Sequence, residues 1–502
     1  MMFRDLVLEN PVLVKHVRSR LRLQHLIPLI VIVIALCICI SWAGIVSGRD
    51  RSAVTSITVL QALILFLVGA AAVATAVSNA RESGMLDFHR ISPQQPAAIT
   101  LGFLLGAPIR EYVLFACTLP FSLLLAVGAG YSILGWLAVL TDLIVVSLLY
   151  YTIAILAGLA LPRRTSSMMV VVLIVVVLNL GWVLQIAGCL TIVPTVLSVF
   201  SDPKGPVPIS TTILGYPVSA FLVSLLHQVP VLVFLLLAAA RKMRHELAYP
   251  LSKADAVMFY LVVALLLVAD ARSGRLDIPA GLHDSSAELG IPTLMYGLLT
   301  FGALLAALVT PNAGALARGI RHARKLGFSR VSSWGDHAAN LTAVAVLALV
   351  FVGAGAAASA LSRYTPWSMP GTSVVALIGA CAVLFWGLAK QSFDLAFRRN
   401  STSYLMLLMF VCWVLPLILG LLISAVSSGR DTMASHVLAL SPLSSMGLLL
   451  TTWAEPTTTT NASIAIAASV GLVAVFAIIA WRVTCRAVAA EWTGRPVDIP
   501  AQ

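Results

Sequence analysis

Charge is scarce in this chain of 502 residues: Asp, Glu, Lys and Arg make up 10%, against 60% hydrophobic residues. Soluble domains run nearer a quarter charged. So little charge cannot cover a water-soluble surface for 53.1 kDa, and the mean hydropathy of +0.99 agrees. Cysteine is sparse and odd in number, with seven copies at Cys37, Cys39, Cys117, Cys189, Cys381, Cys412 and Cys485. Most sit in apolar runs and none forms a CxxC pair, which argues against both a disulfide framework and a metal site. The six lysines are Lys15, Lys204, Lys242, Lys253, Lys325 and Lys390, and none precedes Ser or Thr. A Walker A loop needs Gly-Lys-Ser/Thr to hold phosphates, so this chain carries no such loop. His245-Glu246 begins like a zinc-protease helix, but Tyr249 stands where the second histidine belongs. Asp-x-Asp and Gly-x-Ser-x-Gly are missing too, removing the grounds for a metal-dependent glycosyltransferase or a nucleophile elbow. No cleavable signal sequence is expected, because the first apolar run is long enough to span and stay.

What the chain has in quantity is long apolar runs. A helix needs about 20 apolar residues to cross a hydrocarbon core of about 30 Å. Runs of that kind lie at 24–46, 54–78, 108–128, 133–161, 166–189, 217–240, 255–270, 289–309, 339–362, 371–390, 403–427 and 461–482. They predict an all-α polytopic membrane protein with about twelve transmembrane helices. The stretch His436 to Trp453 holds Pro442 and three serines and reads as a re-entrant or interfacial piece. With a cytoplasmic N-terminus, 25 Lys and Arg fall inside and only 7 outside: Arg49, Arg51, Lys204, Arg272, Arg275, Arg363 and Arg430. That positive-inside bias places both termini in the cytoplasm of a bacterial inner membrane. The net charge of +12 is then a topology signal and not a nucleic-acid footprint.

The spans divide as six plus six. Arg81-Glu82-Ser83-Gly84 and Arg324-Lys325-Leu326-Gly327 match at an offset of 243, Arg163-Arg164 and Arg398-Arg399 at 235, and Arg241 and Arg482 at 241. Near-constant offsets predict two parallel halves with a pathway between them. The expected organisation is an amphipathic helix at 1–23, a first half at 24–240, a linker at 241–254, a second half at 255–482 and a tail at 483–502.

The cytoplasmic pieces are the most distinctive. Asn10-Pro11 opens a helix in which Leu13, Val17 and Leu21 share one face and Lys15, Arg18 and Arg22 another. Such a helix either rests in the lipid headgroups or simply anchors the topology. After the second run comes Arg81-Glu82-Ser83-Gly84-Met85-Leu86-Asp87-Phe88-His89-Arg90-Ile91-Ser92-Pro93. Read from its residues alone, this segment is either a solvated loop or a short helix that packs on a partner and pairs charges at its rim.

The segment resembles the ABC-2-type permease family of ABC exporters. That family carries Glu-x-Gly-x-Leu-Asp, a spacer and Ser/Thr-Pro after its second span, here Glu82, Gly84, Leu86, Asp87, Ser92 and Pro93. The N-terminal helix is similar to the family's elbow helix, and Gly102 to Glu111 looks like its approach to span 3. The resemblance covers roughly residues 8–130. It implies a fused permease subunit that binds no cofactor, while a separate ATPase, in two copies, hydrolyses ATP and docks on the loop of Arg81, Glu82, Gly84, Leu86, Asp87 and Pro93. The corresponding loop of the second half departs from the pattern. It offers Arg318, Arg321, Arg324 and Lys325 on one helical face, suited equally to an ATPase groove or to lipid headgroups.

Inside the spans, Asp142 is the one carboxylate placed well within the bilayer; it either faces a pathway or, with Thr141, caps a helix break. Gln61, Asn179, Gln185, His227 and Gln228 either line a polar path or make interhelical hydrogen bonds. Arg110-Glu111 at the start of span 3 reads as a snorkelling pair. Gly353-Ala354-Gly355 suits close helix packing. Two other classes stay open: an ion-gradient-driven secondary transporter, and a membrane enzyme using the cluster Asp270, Asp277, His283, Asp284 and Glu288 on a lipid-linked substrate. The transported substrate is not named by any residue.

Overall fold

The computed structural model describes residues 10–48, 50–91, 94–160, 169, 171, 190–201, 209–213, 216–244, 249–273, 290–327, 334–361, 369–397, 401–426, 432–451 and 458–493. The fold is almost wholly α-helical, as the apolar runs require: a chain in lipid must satisfy its backbone groups internally. Among the described residues, nine helices are long and apolar enough to cross a membrane, or up to ten if one bent pair is a single span. The chain is therefore a helical, polytopic membrane-type protein. It divides into two compact units, Met1–Thr212 with Tyr216–Pro250, and Leu251–Gln502 with Ile213–Gly215.

The first unit begins with α1 (Pro11–Arg20) and α2 (Leu23–Ser47). Helix α3 (Asp50–Glu82) contains a π-helical stretch, Leu63–Gly69. Then come α4 (Met85–Ile91), α5 (Pro96–Gly106), α6 (Ile109–Gly128), α7 (Ile133–Ala160) and α8 (Val193–Ser201). A two-stranded hairpin, β1 (Ile209–Ile213) and β2 (Tyr216–Ser219), precedes α9 (Ala220–Arg244) and is a departure from the all-helical expectation. Helix α7 is the centre of this unit, packed by α3 and α9. The approach is close because small residues line it: a Cβ on Gly158 would stand 2.9 Å from Val77 Cβ.

In the second unit, α10 (Lys253–Ser273) and α11 (Gly290–Val309) lead into α12 (Ala313–Lys325), and the α11–α12 path bends by 54°. Helices α13 (Leu341–Leu361), α14 (Met369–Ala396), α15 (Ser403–Ser424), α16 (Thr432–Ala439), α17 (Pro442–Thr451) and α18 (Thr458–Thr493) follow. Helix α14 is the core, with α11, α13 and α18 around it. Gly355 on α13 faces Ala376 of α14 so closely that an added Cβ would lie 2.5 Å from the Ala376 Cβ, the close packing its sequence suggested.

The bend between α11 and α12 is held by side chains. Breaking a helix in a membrane frees carbonyls and amides that need new partners. Gln391 on α14 donates to the Pro311 carbonyl at 3.3 Å and accepts from the Asn340 amide at 3.1 Å. Asn340 in turn donates to Thr310 Oγ1 at 2.5 Å and to the Gly387 carbonyl at 2.8 Å.

Nine of the twelve expected spans coincide with the nine membrane-length helices, and 289–309 with the first limb of the bent pair. The run 255–270 is helical within α10 but is not among the nine. The run 166–189 lies outside the described residues apart from 169 and 171. His436 to Trp453 forms, as far as it is described, the short helices α16 and α17, with a turn at Leu440–Ser441 where the Ser441 hydroxyl donates to the Trp413 carbonyl at 2.7 Å. At 1.5 Å per residue neither helix is long enough to cross a bilayer.

Candidate functional site

The first-unit segment of Arg81 to Ile91 is built as a braced corner. Helix α3 ends at Glu82, and Gly84 takes φ +71°, its amide donating to the Arg81 carbonyl at 3.1 Å. Only glycine reaches that left-handed position without strain, and it caps the helix while turning the chain into α4. Arg81 does not project as a docking charge: its guanidinium donates to the Leu159 carbonyl at 3.1 Å, covering the C-terminal end of α7. Leu86 is the anchor of α4, only 3% exposed. Arg90 holds the far end, donating to the Met243 carbonyl at the end of α9 (3.2 Å) and to Asp87 Oδ1 (2.6 Å).

With Leu86 and Arg90 turned inward and Met85 and His89 half-buried, the remaining side chains of α4 face out. Asp87 is exposed, and so are Phe88 at 66% and Ile91 at 85%. Glu82 and Gly84 lie on the exposed turn beside them. Two large apolar side chains beside a charge on a pinned helix form a surface patch suited to docking. The apolar side chains of the segment divide between the two sides of α4, with Leu86 inside and Phe88 outside. Ser92 and Pro93 lie outside the described residues.

Helix α1 supports this corner. Asn10 caps it, accepting from the amides of Val12 (3.0 Å) and Leu13 (3.4 Å) while donating to the Ala98 carbonyl at 2.5 Å. The helix seats on α5 across Gly102 and Gly106: added Cβ atoms would stand 2.7 Å from Val12 Cβ and 3.1 Å from His16 Cβ. The buried face is therefore Val12, Leu13 and His16, one residue round from the Leu13–Val17–Leu21 face that periodicity suggested. His16 stacks at 5.4 Å from the Phe103 ring. Burial first, then Arg20 and Lys15, push its pKa down to about 4. Lys15 reaches Met85 Sδ at 2.7 Å, and Arg20 donates to the Ala72 carbonyl at 3.3 Å, tying α1 to α4 and α3. The signal for this seat was present in the sequence as Gly102-x-x-x-Gly106.

In the second unit α12 is amphipathic, as expected. Asn312 caps it by accepting from the Ala315 amide at 2.8 Å. Leu316 and Ile320 bury against Leu395, while Arg318, Arg321, Arg324 and Lys325 all lie on the exposed side. Its end repeats the geometry of α3: Gly327 has φ +76°, and its amide donates to the Arg324 carbonyl at 3.1 Å.

Asp142 stands apart from these surfaces. Helix α7 runs unbroken from Ile133 to Ala160, so Thr141–Asp142 caps no break. The Asp142 side chain is fully buried, with Thr195 of α8 and Gln228 of α9 facing it, yet among the described residues neither carboxyl oxygen has a partner in hydrogen-bonding geometry. Asp142 is not the only buried acid: Glu111 in α6 is 0% exposed, accepting at Oε1 from Arg110 at 3.1 and 2.7 Å. Reading that pair as a snorkelling contact missed its burial, which no adjacent sequence feature signals. Gln61 donates to Thr118 Oγ1 at 2.9 Å, an interhelical bond, and His227 Nδ1 pairs with its own helix at the Val223 carbonyl (2.8 Å). Asn179, Gln185, His245 and Glu246 lie outside the described residues, and of the acidic loop cluster only Asp270 falls within them. Among the described residues no group of three or more His, Cys, Asp or Glu is placed to hold a metal.

No protein-family model, curated protein or solved structure matches this chain.

Proposed function

We propose that this chain is the membrane-embedded permease subunit of an ABC-type exporter, of about twelve transmembrane helices in two six-helix halves with both termini cytoplasmic. A separate ATPase subunit, in two copies, docks on it and hydrolyses ATP. The observation that carries the reading is the α4 corner. A short helix is braced from three sides by Leu86, Arg81 and Arg90 and presents Asp87, Phe88 and Ile91 outward. A rigid backbone with exposed apolar and charged groups transmits a push better than a solvated loop, which is what coupling demands. The basic face of α12 supplies a second candidate contact, for the ATPase or for anionic headgroups.

The decisive experiment is co-expression with the neighbouring genes and purification, asking whether an ATPase comes with the chain at two copies per permease. Reversing Glu82 and Asp87 to lysine should weaken that association and the substrate stimulation of hydrolysis; reversing Arg321 and Arg324 should do less. Normal transport by the double acid reversal, at normal expression, overturns the coupling assignment. A secondary transporter driven by an ion gradient is the second reading, favoured by the buried carboxylate of Asp142. Transport that persists without ATPase and follows an ion gradient would select it.

A further inference from the structure

Asp142, Thr195 and Gln228 bring oxygen-bearing side chains from three helices of the first unit together in the apolar interior, and Ser224 lies one turn from Gln228 on the same helix face. Asp142 lies ten residues into α7, which at 1.5 Å per residue places it about 14 Å from that helix end and deep within a membrane core. Thr195 comes from α8, and Ser224 and Gln228 come from α9, one turn apart on one face. All four are fully buried. Thr195 and Gln228 face the carboxyl, yet among the described residues the two oxygens of Asp142, the Thr195 hydroxyl and the Ser224 hydroxyl have no partner in hydrogen-bonding geometry.

We propose that Asp142, Thr195, Ser224 and Gln228 form a membrane-embedded binding site for one desolvated alkali cation. An isolated carboxylate in hydrocarbon is too costly to leave uncompensated. Among the described residues, the cations on the neighbouring helices do not compensate it. Arg81 is committed to Leu159 at the far end of α7 and Arg110 to Glu111, while Arg241, Lys242 and Arg244 lie three or more turns beyond Gln228 along α9. A proton would neutralise Asp142 but leave the Thr195 and Ser224 hydroxyls, as they are placed, outside hydrogen-bonding geometry. One monovalent cation neutralises the site and accepts all of these oxygens at once, with the Gln228 carbonyl oxygen as a further ligand. The donor set is all hard oxygen with a single negative charge, which suits a hard cation and not a thiolate- or imidazole-seeking metal. A divalent ion would leave one positive charge unbalanced in the membrane. The inference does not rest on the ATPase reading, since a cation can serve structure or coupling in either class of transporter.

The test uses the full chain in nanodiscs at fixed pH and ionic strength, exchanging choline chloride for lithium, sodium or potassium chloride. Thermal stability should rise saturably with one of the alkali cations, and radiolabelled cation should bind at about one per chain. Asp142→Asn should abolish both. Ser224→Ala and Thr195→Val, which preserve the fold if the acid variant does not, should each raise the half-saturating concentration by roughly tenfold, as losing one hydrogen-bond-strength contact to a charge predicts. No difference between the alkali salts and choline, or a shift governed by pH alone, overturns the proposal in favour of a protonated Asp142. An alkali shift that survives in Asp142→Asn overturns it in favour of binding elsewhere.

Discussion

Truncating Phe88 and Ile91 to alanine separates docking from folding better than any change of charge. Fully burying a Phe or Ile side chain is worth about 1.5–3 kcal/mol. Leu86 has already realised that gain in the folded chain, whereas Phe88 and Ile91 remain 66% and 85% exposed. Roughly 1–2 kcal/mol each is therefore available to whatever covers them. Joint truncation should weaken the proposed ATPase complex by roughly 3 kcal/mol, on the order of a hundredfold in Kd. The fold should hardly register the change, because exposed substitutions shift stability by about 0.5 kcal/mol or less. Leu86→Ala is the contrast, costing about 2–5 kcal/mol of stability through the cavity it leaves.

The assay is titration of the proposed ATPase partner, once co-purified, against this chain in nanodiscs, with thermal unfolding of the chain alone measured in parallel. The expected pattern is lost association with unchanged unfolding for Phe88→Ala/Ile91→Ala, and lowered unfolding temperature for Leu86→Ala. Unchanged ATPase affinity and transport in the double variant would refute the docking role of α4, whatever Leu86→Ala does.

Gly84→Ala should destabilise the first unit by about 1–2 kcal/mol, the cost of a left-handed non-glycine residue, with Gly84→Asn costing less; thermal unfolding reads the ranking. Gln391→Leu removes the side chain that pairs with the Pro311 carbonyl and the Asn340 amide and should cost about 1–3 kcal/mol for each orphaned group, seen as a lower melting temperature. His16 stays uncharged in the fold down to about pH 4 because of burial, while an unfolded histidine takes its proton near 6.5. Stability from the α1 seat should therefore fall as pH drops from 6.5 towards 4, raising hydrogen exchange over Pro11–Arg20, and His16→Phe should flatten that dependence.

The parts of the fold that were legible in the sequence are those written in local chemistry. Pro11 and Asn10 mark a helix start by their backbone geometry alone, whereas Gly84 and Gly327 stand out only as a repeat match, and their left-handed role at the helix ends comes from the backbone. The four cations of α12 recur with helical spacing, so their shared exposed face follows without tertiary knowledge. The Asn340–Gln391 brace was not legible, since its members are 51 residues apart and each looks like an isolated polar residue in an apolar run. Glu111 and Asp142 show the same limit from the other side. A carboxylate beside an arginine and one beside a threonine both have local explanations, and only packing reveals that both are fully buried. The outward turn of Phe88 was hidden for a related reason: in a seven-residue helix, periodicity cannot decide which face meets the protein.

The two left-handed glycines carry an argument further. Gly84 and Gly327 lie 243 residues apart, and so do both ends of the thirteen-residue segments before them, Ala70–Glu82 and Ala313–Lys325. The first follows a π-helical stretch and continues α3 against α7; the second follows the break at Pro311 and turns away by 54°. Proline alone does not explain the difference, since membrane helices tolerate it, as α7's neighbours do with Pro120 in α6 and Pro230 in α9. Charge does: Ala70–Glu82 has its only ions, Arg81 and Glu82, at the end, while Ala313–Lys325 carries Arg318, Arg321, Arg324 and Lys325 along its length. Helix α11 has twenty residues, about 30 Å at 1.5 Å per residue, and fills a hydrocarbon core by itself, so α12 begins at the membrane surface. There its basic side meets water or headgroups only while Leu316 and Ile320 stay packed on Leu395. Pro311→Ala should therefore leave α12 bent. A cysteine placed at Ile320, 1% exposed, in a background with the native cysteines replaced, should stay protected from a membrane-impermeant thiol reagent in inverted vesicles with or without the proline. Reaction of that cysteine in the Pro311→Ala chain would show that the proline, and not the two-faced chemistry of α12, sets its course.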